Sequence, residues 1–432
     1  MMSLRAMPVR FRILAVLIAL SFVNYLLRNN ISVAVPSIRE EFGFTSAEIG
    51  WILGSFNLTY TLFQIPGGIF GEAIGHRRAL AAIAITWGVL TLLTGFAPSL
   101  MAASATGAMV ALIAVRFLMG IANAPIFPIM TGVIARWFPT GSWAFPNSLN
   151  STGLALGQAA IGPVVTLLII QFGWRNSFYA LAPLGFLVGA WWYWYGRDRP
   201  GEHRAITPQE IALINHGRDE AATATPPRGS WREVLMRRDV LLLAASYFCM
   251  CYVFYMFAQW LFVYLVEERG FSLLESGFLY VLPFATGAAM AAGGGILCDR
   301  LCQRYGGRWG CRLPAMLGLV LVAVFLLAGM NAANPYVAVG LLSLCFGFTQ
   351  FTEGPYASAA TYVGGPHAAT AYGVVNTGGN AAGFLAPVVG MLIDQAGWPV
   401  TLATGSLFAL VGAGLWLFID VERRQKSGKA MP

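Results

Sequence analysis

The chain has 432 residues, of which 57% are hydrophobic, 13% aromatic and only 11% charged, and it carries a net charge of +8. A soluble domain holds about 25% charged residues, so this composition excludes one and specifies a multi-span membrane protein. The surplus of basic residues lies in loops on one side of the apolar segments; it is a topology signal and does not point to nucleic acid.

Met1 to Arg12 is basic and precedes an apolar run, like a signal peptide, but no small-residue cleavage site follows and the run is long enough to span a bilayer. It is read as an uncleaved first helix. Apolar segments of spanning length fall at about 12–35, 46–70, 79–98, 107–134, 146–171 and 176–195, and a second six at about 239–266, 274–297, 313–330, 335–360, 369–392 and 399–419. The expected fold is therefore all-α, with twelve transmembrane helices. The abundant glycine (49) and proline (22) fit close helix packing and kinks in a membrane.

Within the first span, Asn24-Tyr-Leu-Leu-Arg28-Asn-Asn-Ile-Ser32 places an arginine among apolar residues. A guanidinium cannot shed its proton, and holding it at membrane depth costs a few kcal/mol or more, so it needs a partner. That partner is either an anionic ligand, or a headgroup or fixed carboxylate reached from its place in the helix. Asn29 and Asn30 point to adjacent faces, so at most one joins Arg28 at a cavity. On the fifth span Asn147, Asn150, Ser151 and Thr152 are either cavity donors or helix-packing groups.

Lysine and arginine alternate between loops. Arg5, Arg10 and Arg12 precede the first span, Arg77 and Arg78 follow the second, Arg136 the fourth, Arg300, Arg304, Arg308 and Arg312 the eighth, and Arg423, Arg424, Lys426 and Lys429 the twelfth, while the intervening loops hold only Arg39, Arg175 and Arg269. By the positive-inside rule both termini are cytoplasmic. The basic loop 196–238 divides the chain into an N-terminal six-helix bundle (1–195) and a C-terminal one (239–432), and Thr207-Pro-Gln-Glu210 begins a short interfacial linker helix through about Gly217.

The halves repeat each other. Gly43-Phe-Thr-Ser-Ala-Glu48 recurs as Gly270-Phe-Ser-Leu-Leu-Glu275, Gly67-Gly68 as Gly294-Gly295, Glu72 as Asp299, Asn123-Ala-Pro125 as Glu353-Gly-Pro355, and the Pro163 to Gly173-Trp174 spacing as Pro387 to Gly397-Trp398. Such parallel repeats place an expected binding site between the halves at the midplane. The six cysteines (Cys249, Cys251, Cys298, Cys302, Cys311, Cys345) are read as reduced and structural, since Cys298 and Cys302 lack the spacing and companion ligands of a zinc site. The four histidines form no ligand cluster, with His76 and His367 expected in loops away from the site. No metal, cofactor or enzymatic nucleophile–base set is expected.

Gly68-Ile-Phe-Gly-Glu72-Ala-Ile-Gly-His-Arg77-Arg78 and its repeat Gly295-Ile-Leu-Cys-Asp299-Arg300 resemble the cytoplasmic signature of the major facilitator superfamily. Glu72 in place of an aspartate and Ala73 in place of a basic residue depart from it. Tyr25-Leu-Leu-Arg28-Asn-Asn30, Tyr60-Thr-Leu-Phe-Gln64-Ile-Pro-Gly-Gly68, Arg116-Phe-Leu-Met-Gly120, Trp137-Phe-Pro139, Glu353-Gly-Pro355 and Gly373-Val-Val-Asn376-Thr-Gly-Gly-Asn380 further resemble the anion:cation symporter family, which includes sugar-acid carriers.

The resemblance implies that Arg28 grips a substrate carboxylate, aided by Tyr25, Tyr60, Asn376 and Asn380. Arg116, Asn123, Glu72, Asp299 and Arg300 are assigned gating or structural roles. Proton-coupled relatives carry an aspartate before the arginine and a glutamate on the fourth helix; here those positions are Leu27 and Asn123, which leaves Glu353 as the proton-coupling candidate. The expected protein is a monomeric inner-membrane importer of a small organic anion, working by alternating access, with proton coupling the family expectation. An exporter of drugs or metabolites, and a transporter-like sensor, are the rival readings.

Overall fold

The structure is a computed structural model that describes residues 7–100, 104–139, 144–215, 236–364 and 368–421. Every extended element among the described residues is a helix. Two compact units emerge: one comprises Met1–Gly43 with Leu58–Thr225, the other Phe44–Asn57 with Pro226–Pro432.

The first unit opens with α1 (Val9–Phe42), longer at both ends than the apolar run alone. Gly43 stops it in the left-handed conformation (φ 71°, ψ 25°), where its N–H bonds the Arg39 carbonyl. Then follow α2 (Ser46–Ile74), α3 (His76–Leu100), α4 (Ala105–Asn123), α5 (Ile126–Trp137) and α6 (Ala144–Tyr195). The expected continuous fourth span is broken between α4 and α5, where Pro125 has no N–H to continue the ladder. The 52 residues of α6 contain two crossings, joined at Gly173, whose φ 80° and ψ 163° fall in a region open essentially to glycine.

Helix α6 lies unusually close to α1. A Cβ on Gly153 would sit 2.6 Å from the Ile18 carbonyl oxygen, and one on Gly157 would overlap that of Phe22, so this Gly-xxx-Gly pair sets the approach. Two side-chain bonds pin the register: Ser21 Oγ donates to Asn150 Oδ1 (2.6 Å), and Asn29 Nδ2 to Gln158 Oε1 (2.7 Å). Asn29 and Asn150 are thus helix-packing groups.

The linker is tied into this unit. Its helix α7 (Pro208–Asn215) presents Glu210, whose carboxylate accepts from the Val9 and Arg10 amides (3.1 and 3.0 Å) at the N-terminus of α1. Asp198 does the same for α3, accepting from Arg77 N (2.9 Å). The expected end of the linker helix, Gly217, lies outside the described residues.

The second unit holds α8 (Arg238–Glu267), α9 (Leu273–Leu279), α10 (Val281–Asn331), α11 (Pro335–Phe351), α12 (Glu353–Gly364), α13 (Ala368–Ala381) and α14 (Ala386–Leu415). Here α10 turns at Gly306 (φ 80°, ψ 166°) and α14 at Gly397 (φ 77°, ψ 175°), and the expected tenth span breaks between α11 and α12, two residues before Pro355. The first turns of α2 join this unit: the Asp394 carboxylate accepts from Ser46 N (3.0 Å) and Ala47 N (2.8 Å), and Asn57 Nδ2 donates to the Gly383 carbonyl (3.2 Å).

Eight helical stretches are long and apolar enough to cross a membrane, and three of them, at 45 residues or more, hold a glycine turn and room for two crossings. Together with α2 this is consistent with the twelve expected spans. The repeat is visible in atomic detail. Thr45 Oγ1 accepts from Glu48 N (3.2 Å) while Glu48 bonds back to Thr45 N (2.8 Å), and Ser272 with Glu275 forms the same reciprocal cap (3.2 and 3.0 Å).

Candidate functional site

The first unit gathers cations where the sequence is most apolar. Arg28 is 5% exposed and Arg116 3% exposed, and Arg116 Nη1 donates to the Arg28 carbonyl oxygen (2.8 Å). The guanidinium of Arg28 lies over the Tyr60 ring at 4.4 Å from its centroid and over the Tyr25 ring at 5.4 Å. Aromatic faces attract a cation, by about 0.5–2 kcal/mol each depending on desolvation. A guanidinium fork meets a carboxylate bidentately. Two neighbouring guanidinium ions repel in a low-dielectric site, and the same field attracts an anion.

The surrounding polar groups are mostly committed. Asn24 Nδ2 donates to Asn123 Oδ1, and Asn123 Nδ2 to the Met119 carbonyl (2.8 Å), so Asn123 locks α1 to α4. Thr59 Oγ1 donates to the Phe117 carbonyl (2.8 Å), fixing α2 beside Arg116 and hence placing Tyr60 over Arg28. Gly67 aids this approach: a Cβ there would lie 2.8 Å from Pro125 Cβ.

The second unit carries a single carboxylate at the repeat-equivalent place. Glu353, half-buried at the start of α12, accepts from the Tyr247 hydroxyl through both oxygens (3.0 Å each). Gly379 on α13 makes this possible, since a Cβ there would overlap the Tyr247 ring and lie 2.8 Å from Cys251 Sγ. Asn380 Oδ1 accepts from the Tyr255 hydroxyl (2.8 Å), while Asn376, one turn earlier, is half-buried on the same helix. Gly354 lies against Gly295 as Pro125 lies against Gly67, so the glycine approach also repeats.

Of the expected gating residues, Asp299 and Arg300 are exposed near the turn of α10, and the Glu72 side chain lies outside the described residues. His76 is not a loop residue: it begins α3 and is 3% exposed, in a space that Gly132 leaves beside its imidazole. His367 lies outside the described residues.

Sequence reasoning missed Tyr247 as the partner of Glu353; a tyrosine among the many aromatics of α8 gives no signal without the facing Gly379. It also missed that Cys311 joins Cys298 and Cys302, with sulfur separations of 3.7 to 4.0 Å. The glycine pair Gly306-Gly307 between them was the available sign of a turn.

The chain was compared with known proteins. The Major Facilitator Superfamily pattern matches residues 17–352 and 301–431. A probable sulfoacetate transporter, SauU, of Cupriavidus necator is 32% identical over 95% of this chain and 94% of its own length. A probable galactarate/D-glucarate transporter, GudP, of Bacillus subtilis is 27% identical over 90% and 87%. A solved bacterial homolog of the human lysosomal transporter Spinster shares the fold, with a TM-score of 0.73, 17% identity and coverage of 96% and 97%. These matches run through both units and the helices that carry Arg28 and Glu353, and with them this chain belongs to the Major Facilitator Superfamily of membrane transporters and is not an enzyme.

Proposed function

We propose that the protein imports a small organic anion, a sugar acid or a similar short carboxylate, across the inner membrane by alternating access, with both termini cytoplasmic. The observation that carries this reading is Arg28: buried, faced by two tyrosine rings, and adjacent to a second buried arginine. The relatives support the substrate class, since sulfoacetate and the sugar diacids named for them are small, hydrophilic and anionic. Arg28 binds the carboxylate bidentately, Tyr25 and Tyr60 orient the guanidinium, and Arg116 braces the backbone of α1 and adds to the positive field. Asn376 and Asn380 offer hydrogen bonds to substrate hydroxyls.

The test is uptake of radiolabelled sugar acids and sulfoacetate into proteoliposomes. Arg28→Ala abolishes uptake while expression and the thermal midpoint stay close to wild type, and Arg28→Lys, which keeps the charge but loses the planar fork, retains a small fraction. Undiminished uptake by Arg28→Ala would refute the anion grip. Efflux of lipophilic drugs by the intact protein, with no carboxylate uptake, would favour an exporter.

A further inference from the structure

Three of the six cysteines meet at one point, and the fold is built to bring them there. Cys298 and Cys302 are one helical turn apart in the first segment of α10, and Gly306 then reverses the chain. Gly310, in the second segment, lies directly on Cys302: a Cβ at Gly310 would fall 2.5 Å from Cys302 Sγ and overlap its backbone. The absence of that Cβ lets the segments touch, and Cys311 Sγ arrives 4.0 Å from Cys298 Sγ and 3.7 Å from Cys302 Sγ, with Cys298 and Cys302 themselves 4.0 Å apart.

A point equidistant from three sulfurs at these separations lies about 2.3 Å from each, which is the length of a zinc–thiolate bond. The ion would sit nearly in the plane of the sulfurs. Cys298 and Cys311 are fully buried and Cys302 is half-buried, so the triangle is walled on most sides and reached past Cys302. Helix α12 packs on this turn: a Cβ on Gly307 would come within 3.1 Å of the Tyr362 ring. A water can complete a fourth position. Between 298 and 312 the chain carries Arg300, Arg304, Arg308 and Arg312 against one acid, Asp299, and cationic surroundings favour thiolates. A disulfide would use only two of the three sulfurs and needs them at about 2.05 Å.

We propose that Cys298, Cys302 and Cys311 form a three-thiolate site for a thiophilic d10 metal cation, of the class of Zn(II) or Cu(I). Soft thiolate donors select such ions. On binding, each thiol releases its proton to solvent and donates a sulfur lone pair to the metal, with no change of oxidation state. The ion clamps the two segments of α10 across Gly306. This site shares no residue with Arg28 or Glu353 and does not depend on the transport reading.

The test uses the full-length purified protein under reducing conditions, with Co(II) as the spectroscopic probe and Zn(II) as competitor. Wild type gives a thiolate-to-cobalt charge-transfer band that saturates at one equivalent, and Zn(II) displaces it. Cys311→Ser weakens binding by about 100-fold or more. Gly310→Ala does the same with all three thiols present, because it pushes the segments apart. Cys345→Ala, a buried cysteine elsewhere on α11, leaves the band unchanged. The absence of a band in folded wild type, an unchanged band in Cys311→Ser, or a disulfide between Cys302 and Cys311 in place of metal binding would overturn the proposal.

Discussion

At the scale of single residues, Arg28 was legible because a lone charge in an apolar run must be compensated, whatever the fold. Its setting was not. Tyr60 is on another helix, and the bond from Thr59 to the Phe117 carbonyl, invisible in sequence, helps set its ring over the guanidinium. The same limit hid the Asn24–Asn123 pair: Asn123 was readable as a gating or structural residue, and its contact with Asn24 shows which helices it locks. The ring over Arg28 gives a sharp expectation. Tyr60→Phe keeps the aromatic face and leaves the transport KM within about twofold of wild type. Tyr60→Leu removes a cation–π attraction of about 0.5–2 kcal/mol and raises KM by about 2- to 30-fold. Concentration-dependent uptake of the two variants, side by side, checks it; equal behaviour would mean that the ring does not act through its face.

At the scale of elements, the spans were legible from hydropathy and their joints were not. Short polar gaps read as loops, yet the chain passes from one crossing to the next through a single glycine at 173, 306 and 397. Hydropathy is blind to backbone dihedrals, and the traces were the Gly-Trp pairs at 173 and 397 and the glycine pair at 306. At Gly397 an added Cβ meets only Pro399 Cδ at 3.7 Å, so a substitution there is penalised by conformation and not by collision. Gly397→Ala therefore lowers stability by about 1–3 kcal/mol. Gly340→Ala, within α11 and with nothing within 4 Å of its Cβ, raises it by up to about 1 kcal/mol through helix propensity. Thermal midpoints in one detergent should move in opposite directions.

The linker carries a pH dependence of its own. His203 is buried against the Trp137 and Tyr195 rings, and its Nδ1 accepts from Ala205 N (3.2 Å). Burial lowers its pKa below the usual 6.5, Arg197 and Arg12 add to the effect, and Glu210 opposes it. The folded protein thus binds this proton less readily than the unfolded chain. The contribution of neutral His203 is complete above the unfolded value and is lost as pH falls below about 6.5. His203→Asn should show a flatter fall in thermal midpoint between about pH 7 and pH 5 than wild type. Parallel profiles would exclude His203 as a source of the dependence.

At the scale of the whole molecule, the internal repeat was the most informative feature of the sequence, because it survives as equivalent caps, equivalent glycine approaches and equivalent helix breaks. What the repeat could not convey is how its two copies diverged. Asn123 in one copy is a neutral packing group bonded to Asn24, while Glu353 in the other is a carboxylate bonded only by a tyrosine hydroxyl among the contacts described. Proton-coupled transport needs a group whose charge changes during the cycle, and a carboxylate that can be neutralised is suited to it. If Glu353 carries the proton, Glu353→Gln fixes the neutral state: uptake loses its dependence on a pH gradient, while exchange of labelled for unlabelled substrate continues at a rate near wild type. Tyr247→Phe removes the hydroxyl bonded to both carboxylate oxygens but keeps the carboxylate, so gradient dependence is retained. Counterflow and gradient-driven uptake measured in the same proteoliposomes separate these outcomes. Gradient dependence that persists in Glu353→Gln would move the coupling step away from this carboxylate altogether.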